Sequence, residues 1–179
     1  MKFFILLGGM AAACAVALSY FYDQLAIRRA ARKEDRELIA RLAALPPVKV
    51  DFSTPEGAVL CFEQACRQKN FEAAAACRDF AAEARFWLLE RGHLSRQQKE
   101  EMLPETIGAM EKSFRDGWAK SPAMDWSKIK TYFQAREPFG DVGVVVNKIT
   151  QMPDGNLVAQ RMLVTETSGG WKIVKALPN

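Results

Sequence analysis

The chain has one histidine, His93, and only four cysteines in its 179 residues. His93 sits in RGHLS, where Gly92 and Ser95 mark a helix break, so nothing places it beside a thiol as a base or among other ligands around a metal. Cys61 and Cys66 lie in CFEQAC, Cys77 comes ten intervening residues later, and Cys14 lies far upstream, which matches no zinc spacing. We therefore expect no metal, no cofactor and no catalytic signature. An excess of basic charge is also missing from the bulk of the chain. Of the formal net charge of +4, residues 1 to 46 hold +3, which leaves +1 for the other 133 residues. A nucleic-acid reader concentrates Lys and Arg on its folded face, so nucleic acid is excluded as an expected partner.

The most informative absence is that of charge between Phe3 and Tyr22, in FFILLGGMAAACAVALSYFY. Twenty apolar residues at about 1.5 Å each span a bilayer core of about 30 Å. A cleaved signal has a shorter apolar core of about 7 to 15 residues. Cleavage after the alanines near 11 to 13, or lipidation at Cys14, would leave AVALSYFY as an exposed apolar end, and AAAC lacks the leucine usual before a lipidated cysteine. The expectation is thus a retained anchor within residues 1–24. Phe3, Phe4, Leu6, Leu7, Val16 and Leu18 face the acyl chains, and Tyr20, Phe21 and Tyr22 meet the interface. Residues 25–50 come next as a charged helical stalk and linker, rich in Arg, Glu, Ala and Leu and closed by Pro46 and Pro47. The basic RRAARK stretch suits anionic headgroups as well as a solvated helix.

Orientation draws on two opposed signals. Arg28, Arg29, Arg32, Lys33 and Arg36 outnumber Lys2, which under the positive-inside rule keeps the domain on the cytoplasmic face. The Met-Lys start followed at once by apolar residues resembles an export signal. The expectation adopted is a single-pass inner-membrane protein with its domain on the exported, periplasmic side, and the cytoplasmic face is the alternative.

About 130 residues remain, enough for one domain with a real core. STPEGAVLCFEQACRQKN predicts a helix capped by Ser53 or Thr54, with Pro55 in its first turn, Glu56 available for a capping box, and a buried stripe of Val59, Phe62 and Cys66. Asn70 starts an alanine-rich helical stretch that breaks near Asp79 and ends at Gly92. Its Phe71, Phe80, Phe86 and Trp87 have the bulk to anchor a core or line a cavity. Ser95 with Gln98 is a second capping box, and Pro104 divides the next helical segment into a short helix and a longer one that buries Ile107, Met110, Phe114 and Trp118. From Trp126 the period changes to two. Ile129, Thr131, Phe133 and Ala135 take one face of a strand, and Lys128, Lys130, Tyr132 and Gln134 the other. DVGVVVNKIT, NLVAQRMLVTE and WKIVKAL are three further strands, joined through MPDGN and SGG turns into an antiparallel meander.

Helices first, then a sheet ending in GGWKIVKAL, together with the opening TPEGAVLCFEQACRQKNFEAAAAC, resembles the nuclear transport factor 2-like (cystatin-like) superfamily over residues 52 to 177. The resemblance implies an α+β fold over 51–179, with helices packed on a curved antiparallel sheet of about four strands around a cone-shaped pocket. It implies no single function, because that superfamily holds isomerases, dehydratases, transport factors and members without known activity. An enzyme in it would aim a carboxylate, Tyr or His into the cone, yet Asp125, Glu137, Asp141, Asp154 and Glu166 all fall at strand ends or turns. For ligand binding the candidates are Arg161 and Gln160 in mid-strand, Tyr132, and Trp87. Cys61, Cys66 and Cys77 read as buried thiols, and a disulfide from Cys66 or Cys61 to Cys77 is the alternative in an oxidising compartment.

The expected function is a membrane-anchored envelope protein whose domain binds a protein partner, a second copy of itself or a small ligand without catalysis. The alternatives are a small isomerase or hydrolase using the cone, and a scaffold or assembly subunit of a membrane complex.

Overall fold

The computed structural model describes residues 31–120 and 125–178. The expected anchor, residues 3–22, lies outside the described residues, and among those described no helix is long and apolar enough to cross a membrane. The chain divides between Leu45 and Pro46 into two units. In the first, residues 31–43 form helix α1, with an exposed Lys33–Glu37 pair at 3.8 Å. Pro46 and Pro47 come after it, outside regular structure.

The second unit is α+β. Helices α2 (Pro55–Arg67), α3 (Phe71–Ala76), α4 (Phe80–Leu89) and α5 (Arg96–Lys120) precede a short 3-10 turn (Trp126–Lys128) and strands β1 (Lys130–Phe139), β2 (Gly143–Gln151), β3 (Leu157–Thr167) and β4 (Gly170–Leu177). The strands form one antiparallel sheet in the order β1-β2-β3-β4, the expected meander. MPDGN makes the β2–β3 turn, where Met152 N donates to Asn156 O at 2.8 Å and Asp154 Oδ1 accepts from Asn156 N at 3.0 Å.

Most helix starts follow their caps. Thr54 Oγ1 accepts from Gly57 N at 3.0 Å, Asn70 Oδ1 from Ala73 N at 3.0 Å, and Asp79 Oδ1 from Ala82 N at 2.8 Å. The break at Asp79 is therefore a new helix start. The Ser95 box closes reciprocally, with Ser95 N donating to Gln98 Oε1 and Gln98 N to Ser95 Oγ. At α2 the expected box with Glu56 does not form. With Thr54 as the cap, the box position three residues on is Gly57, and Glu56 turns to the sheet instead.

Pro104 does not divide α5. Pro104 and Glu100, the residue whose carbonyl loses a partner to it, are both exposed, so the missing bond falls on the solvent side of the helix. Packing holds the helix on the other side. The Phe114 ring centroid lies 5.5 Å from Phe71, 5.7 Å from Phe80, 6.0 Å from Trp118 and 6.3 Å from Phe62. Arg78 enters this aromatic cluster. Its guanidinium lies 5.1 Å from the Phe114 centroid, pairs with Glu83 and donates to Val174 O.

The alternation expected of a half-exposed sheet gives way in the middle strands. Val145 and Val146 on β2 are both buried, as are Leu163 and Val164 on β3. Successive strand residues point to opposite faces, so both faces of the sheet are covered here. On one, Ala58 and Val59 of α2 pack with Val146, Val164 and Ile173. On the other, Phe86 of α4 lies 5.8 Å from Phe139, and Lys175 Nζ lies 4.0 Å from the Phe86 ring and 3.3 Å from Glu90 Oε1. By register, Phe139 and Lys175 share the face of Val145 and Leu163.

A bulge corrects the expectation for β1. Phe133 pairs with Lys148 and Arg136 with Val146, so Gln134 and Ala135 together stand opposite Asn147. The extra residue shifts the alternation. Ala135, expected inward, is exposed, its carbonyl accepts from Asn147 Nδ2 at 3.0 Å, and Arg136 takes the place on the α2 face.

Candidate functional site

The site is built on one stripe of α2. Glu56, Val59, Glu63 and Cys66, spaced three, four and three apart, share a helix face and are all buried against the sheet. The two apolar members belong to the core, and the two acids are held by the strands. Glu56 Oε1 accepts from Arg136 Nε at 2.8 Å, which the β1 bulge makes possible. Glu63, with 1% of its surface exposed, is the more enclosed. Its Oε1 lies 3.0 Å from Lys148 Nζ of β2, and its Oε2 accepts from Thr131 Oγ1 of β1 at 2.7 Å. Arg67 Nη2 approaches Oε2 at 3.9 Å from the rim. The Lys148 side chain is itself only 11% exposed. Isolated charges this deep would cost several kcal/mol each, and pairing with further hydrogen bonds offsets that cost. The α2 helix is thus clasped to the sheet by one ionic contact near each end, with the apolar contacts of Ala58 and Val59 between them.

Cys66 borders this clasp, and Cys77 is close enough to Cys66 and Cys61 to feel both. Burial pushes Cys66 up to about 11, and the neighbouring Glu63 charge adds to the rise against Lys148 and Arg67. Burial takes Cys77 up to about 12, with Cys61 and Cys66 as further causes. Burial, and then Asp51, also raises Cys61. All three are free thiols, and Cys77 Sγ donates to Ala73 O at 3.1 Å. Thiols held protonated are poor nucleophiles. At pH 8, alkylation of Cys66 and Cys77 in the native chain is expected to be slower by roughly two orders of magnitude than in the unfolded chain, with Cys61 labelling first. Peptide mass mapping after timed iodoacetamide treatment checks this, and equal native rates at all three would contradict it.

The residues singled out from sequence do not converge. Arg161 Nη2 pairs with Glu137 Oε2 at 3.1 Å, and Asn147 Nδ2 donates to Glu137 Oε1 at 2.7 Å, so Arg161 belongs to a polar cluster at the bulge and is not an inward anchor. Gln160 is exposed, opposite Lys148 in register. Tyr132 is half-buried on the other face, opposite Ile149. Trp87 stands on α4, 37% exposed, with the Arg91 guanidinium 4.1 Å from its ring centroid. Among the described residues no group of three or more His, Cys, Asp or Glu is placed to hold a metal ion.

Sequence reasoning missed Glu63, Thr131 as its partner, and Lys148. The sequence reading looks to the strand acids for an inward carboxylate, whereas the acid comes from helix α2. The signal was present in the spacing, because Glu63 lies four residues after Val59 and three before Cys66 on the expected buried stripe. No protein-family model, no curated protein and no solved structure matches the chain. Both oxygens of Glu63 are already engaged, one by a cation and one by a hydroxyl donor, an arrangement that joins elements and leaves no free carboxylate.

Proposed function

We propose that the chain is a single-pass membrane-anchored envelope protein, with residues 51–179 forming a nuclear transport factor 2-like domain that binds a protein partner or a small ligand without catalysis. The observation that carries the non-catalytic part is the closure of Glu63 on Lys148 and Thr131, which spends the one buried acid–base pair of the α2 face on holding the fold. Trp87 and Leu89 on α4, at 37% and 64% exposure, and Met102 on α5, at 38%, are exposed apolar side chains that a partner on the helical layer would cover. The anchor rests on the length and interfacial aromatics of residues 3–22.

Two measurements test the membrane arrangement. The protein is expected to stay in the membrane pellet through alkaline carbonate, and release into the supernatant would contradict an anchor. A C-terminal alkaline phosphatase fusion is expected to be active, because that enzyme matures only on the exported side. An inactive fusion would place the domain on the cytoplasmic face.

One observation favours a second function, a small isomerase or hydrolase. Glu63 supplies the inward carboxylate that such an enzyme needs, with Lys148 beside it to stabilise developing negative charge. Under that reading Glu63→Gln abolishes turnover while the fold survives, whereas the clasp reading has the same change act on stability.

A further inference from the structure

We infer that a second copy of the chain docks on the apolar strip that joins the end of α4 to the β1–β2 turn, with Arg85 and Asp141 pairing across the interface. Leu89 on α4 is 64% exposed, and Val142 in the turn is 42% exposed. Phe86 and Phe139, both half-buried, bridge them. Phe86 lies three residues before Leu89 on the helix, so the two side chains are neighbours, and its ring is 5.8 Å from Phe139. Val142 N donates to Phe139 O at 3.2 Å, which closes the turn, and Thr165 Oγ1 donates to Val142 O at 2.9 Å, which ties the turn to β3. Leu89 and Glu90 flank Phe86 on the helix surface. Glu90 meets Lys175 of β4 on one side of that ring, and β1 is the opposite edge of the sheet, so Phe139 and its turn lie on the side of Leu89.

Charge points to the occupant. Arg85, one turn before Leu89, and Asp141, next to Val142, are both exposed, and neither has an ion pair or a side-chain hydrogen bond among the described residues. Their charged neighbours are already engaged, Glu90 with Lys175, Glu137 with Arg161, and Arg91 with the Trp87 ring. The strip therefore has one free cation at its helical end and one free anion at its turn end. In a two-fold interface the same surface faces itself, with its ends reversed. Each Arg85 then meets Asp141 of the other copy, and no charge is left over. A lipid surface would leave Asp141 without a partner. Four apolar side chains make a contact at the small end of interface sizes, so the dimer is expected to form at about 10–100 µM.

The inference rests on the partner-binding reading above and names the partner. Light scattering of the full-length protein in detergent, over a range of concentrations, is expected to show twice the chain mass at the upper end. Leu89→Asp is expected to weaken the dimer about 30-fold or more, with Tm unchanged because the side chain is exposed. Arg85→Asp or Asp141→Arg alone is expected to weaken it about tenfold, and the two together to return it to within about threefold of the native value. A native chain that stays monomeric at about 100 µM overturns the inference, as does a Leu89→Asp variant that dimerises like the native chain or a double reversal no tighter than the single ones. A photo-cross-linking amino acid at position 89, in the native membrane, separates this inference from the reading beneath it. An adduct of two chains is expected. An adduct with a different protein overturns the second copy and keeps partner binding, and the absence of any adduct contradicts both.

Discussion

Replacing Glu63 with leucine is expected to destabilise the domain by about 3–5 kcal/mol, the largest effect of any single side chain on α2. The change strands the Lys148 ammonium, whose side chain is 11% exposed, and removes the acceptor of the Thr131 hydroxyl. Uncompensated buried charge accounts for most of the cost, so Lys148→Met alone acts in the same direction by leaving Glu63 unpaired. For a domain of this size the loss corresponds to a drop in Tm of about 10–20 °C. The pair Glu56–Arg136 provides an internal comparison. Arg136 is half exposed, so Glu56→Ala releases a cation that water can solvate, and the expected cost is roughly 1 kcal/mol. Thermal unfolding followed by tryptophan fluorescence compares the two variants, and similar losses for both would contradict the account.

The second large effect lies at the β3–β4 turn. Gly170→Ala is expected to cost at least about 3 kcal/mol. Gly170 has φ +101, a conformation that disfavours any Cβ, and an added Cβ would meet Phe52 O at 2.5 Å and Phe52 Cβ at 2.8 Å. The neighbouring Trp171 N donates to that same Phe52 O at 2.9 Å, so the segment before α2 cannot retreat without losing the bond. Gly155 separates conformational strain from crowding. It has φ +84 in the β2–β3 turn with open space around it, and Gly155→Ala is expected to cost about 1 kcal/mol, from backbone strain alone. Chemical denaturation of the two alanine variants measures the difference, and equal costs would show that Phe52 yields.

These two regions mark how far sequence patterns reached. The caps at Thr54, Asn70, Asp79 and Ser95, the four strands and the meander order all arise from local chemistry, since each depends on residues within a few positions of one another. Three features depended on contacts between distant segments. The bulge at Gln134–Ala135 shifts the alternation of β1 by one residue, and no period in the strand itself announces it. Continuity through Pro104 rests on the aromatic packing around Phe114, which draws on Phe62, Phe71 and Phe80 from three other helices. Burial on both sheet faces depends on where α4 lies relative to Phe139 and Lys175.

The site divides the same way. Spacing placed the α2 stripe, but an acid on a buried stripe is recognised only once a cation is found to meet it. Lys148 is 85 residues away in sequence. Arg161, judged from its mid-strand place, found a nearer acid at the bulge in Glu137. Its pairing reflects the same shift of β1 that brought Arg136 to Glu56.

The most direct test of the clasp is a double-mutant cycle on Glu63→Leu and Lys148→Met in the full-length chain, read by urea denaturation. A structural clasp predicts a coupling energy of at least about 2 kcal/mol, with the double variant recovering most of the stability that either single change loses, because no charge is then left buried alone. Additive losses, with a coupling below about 0.5 kcal/mol, would show that Glu63 and Lys148 do not hold each other and would contradict the account.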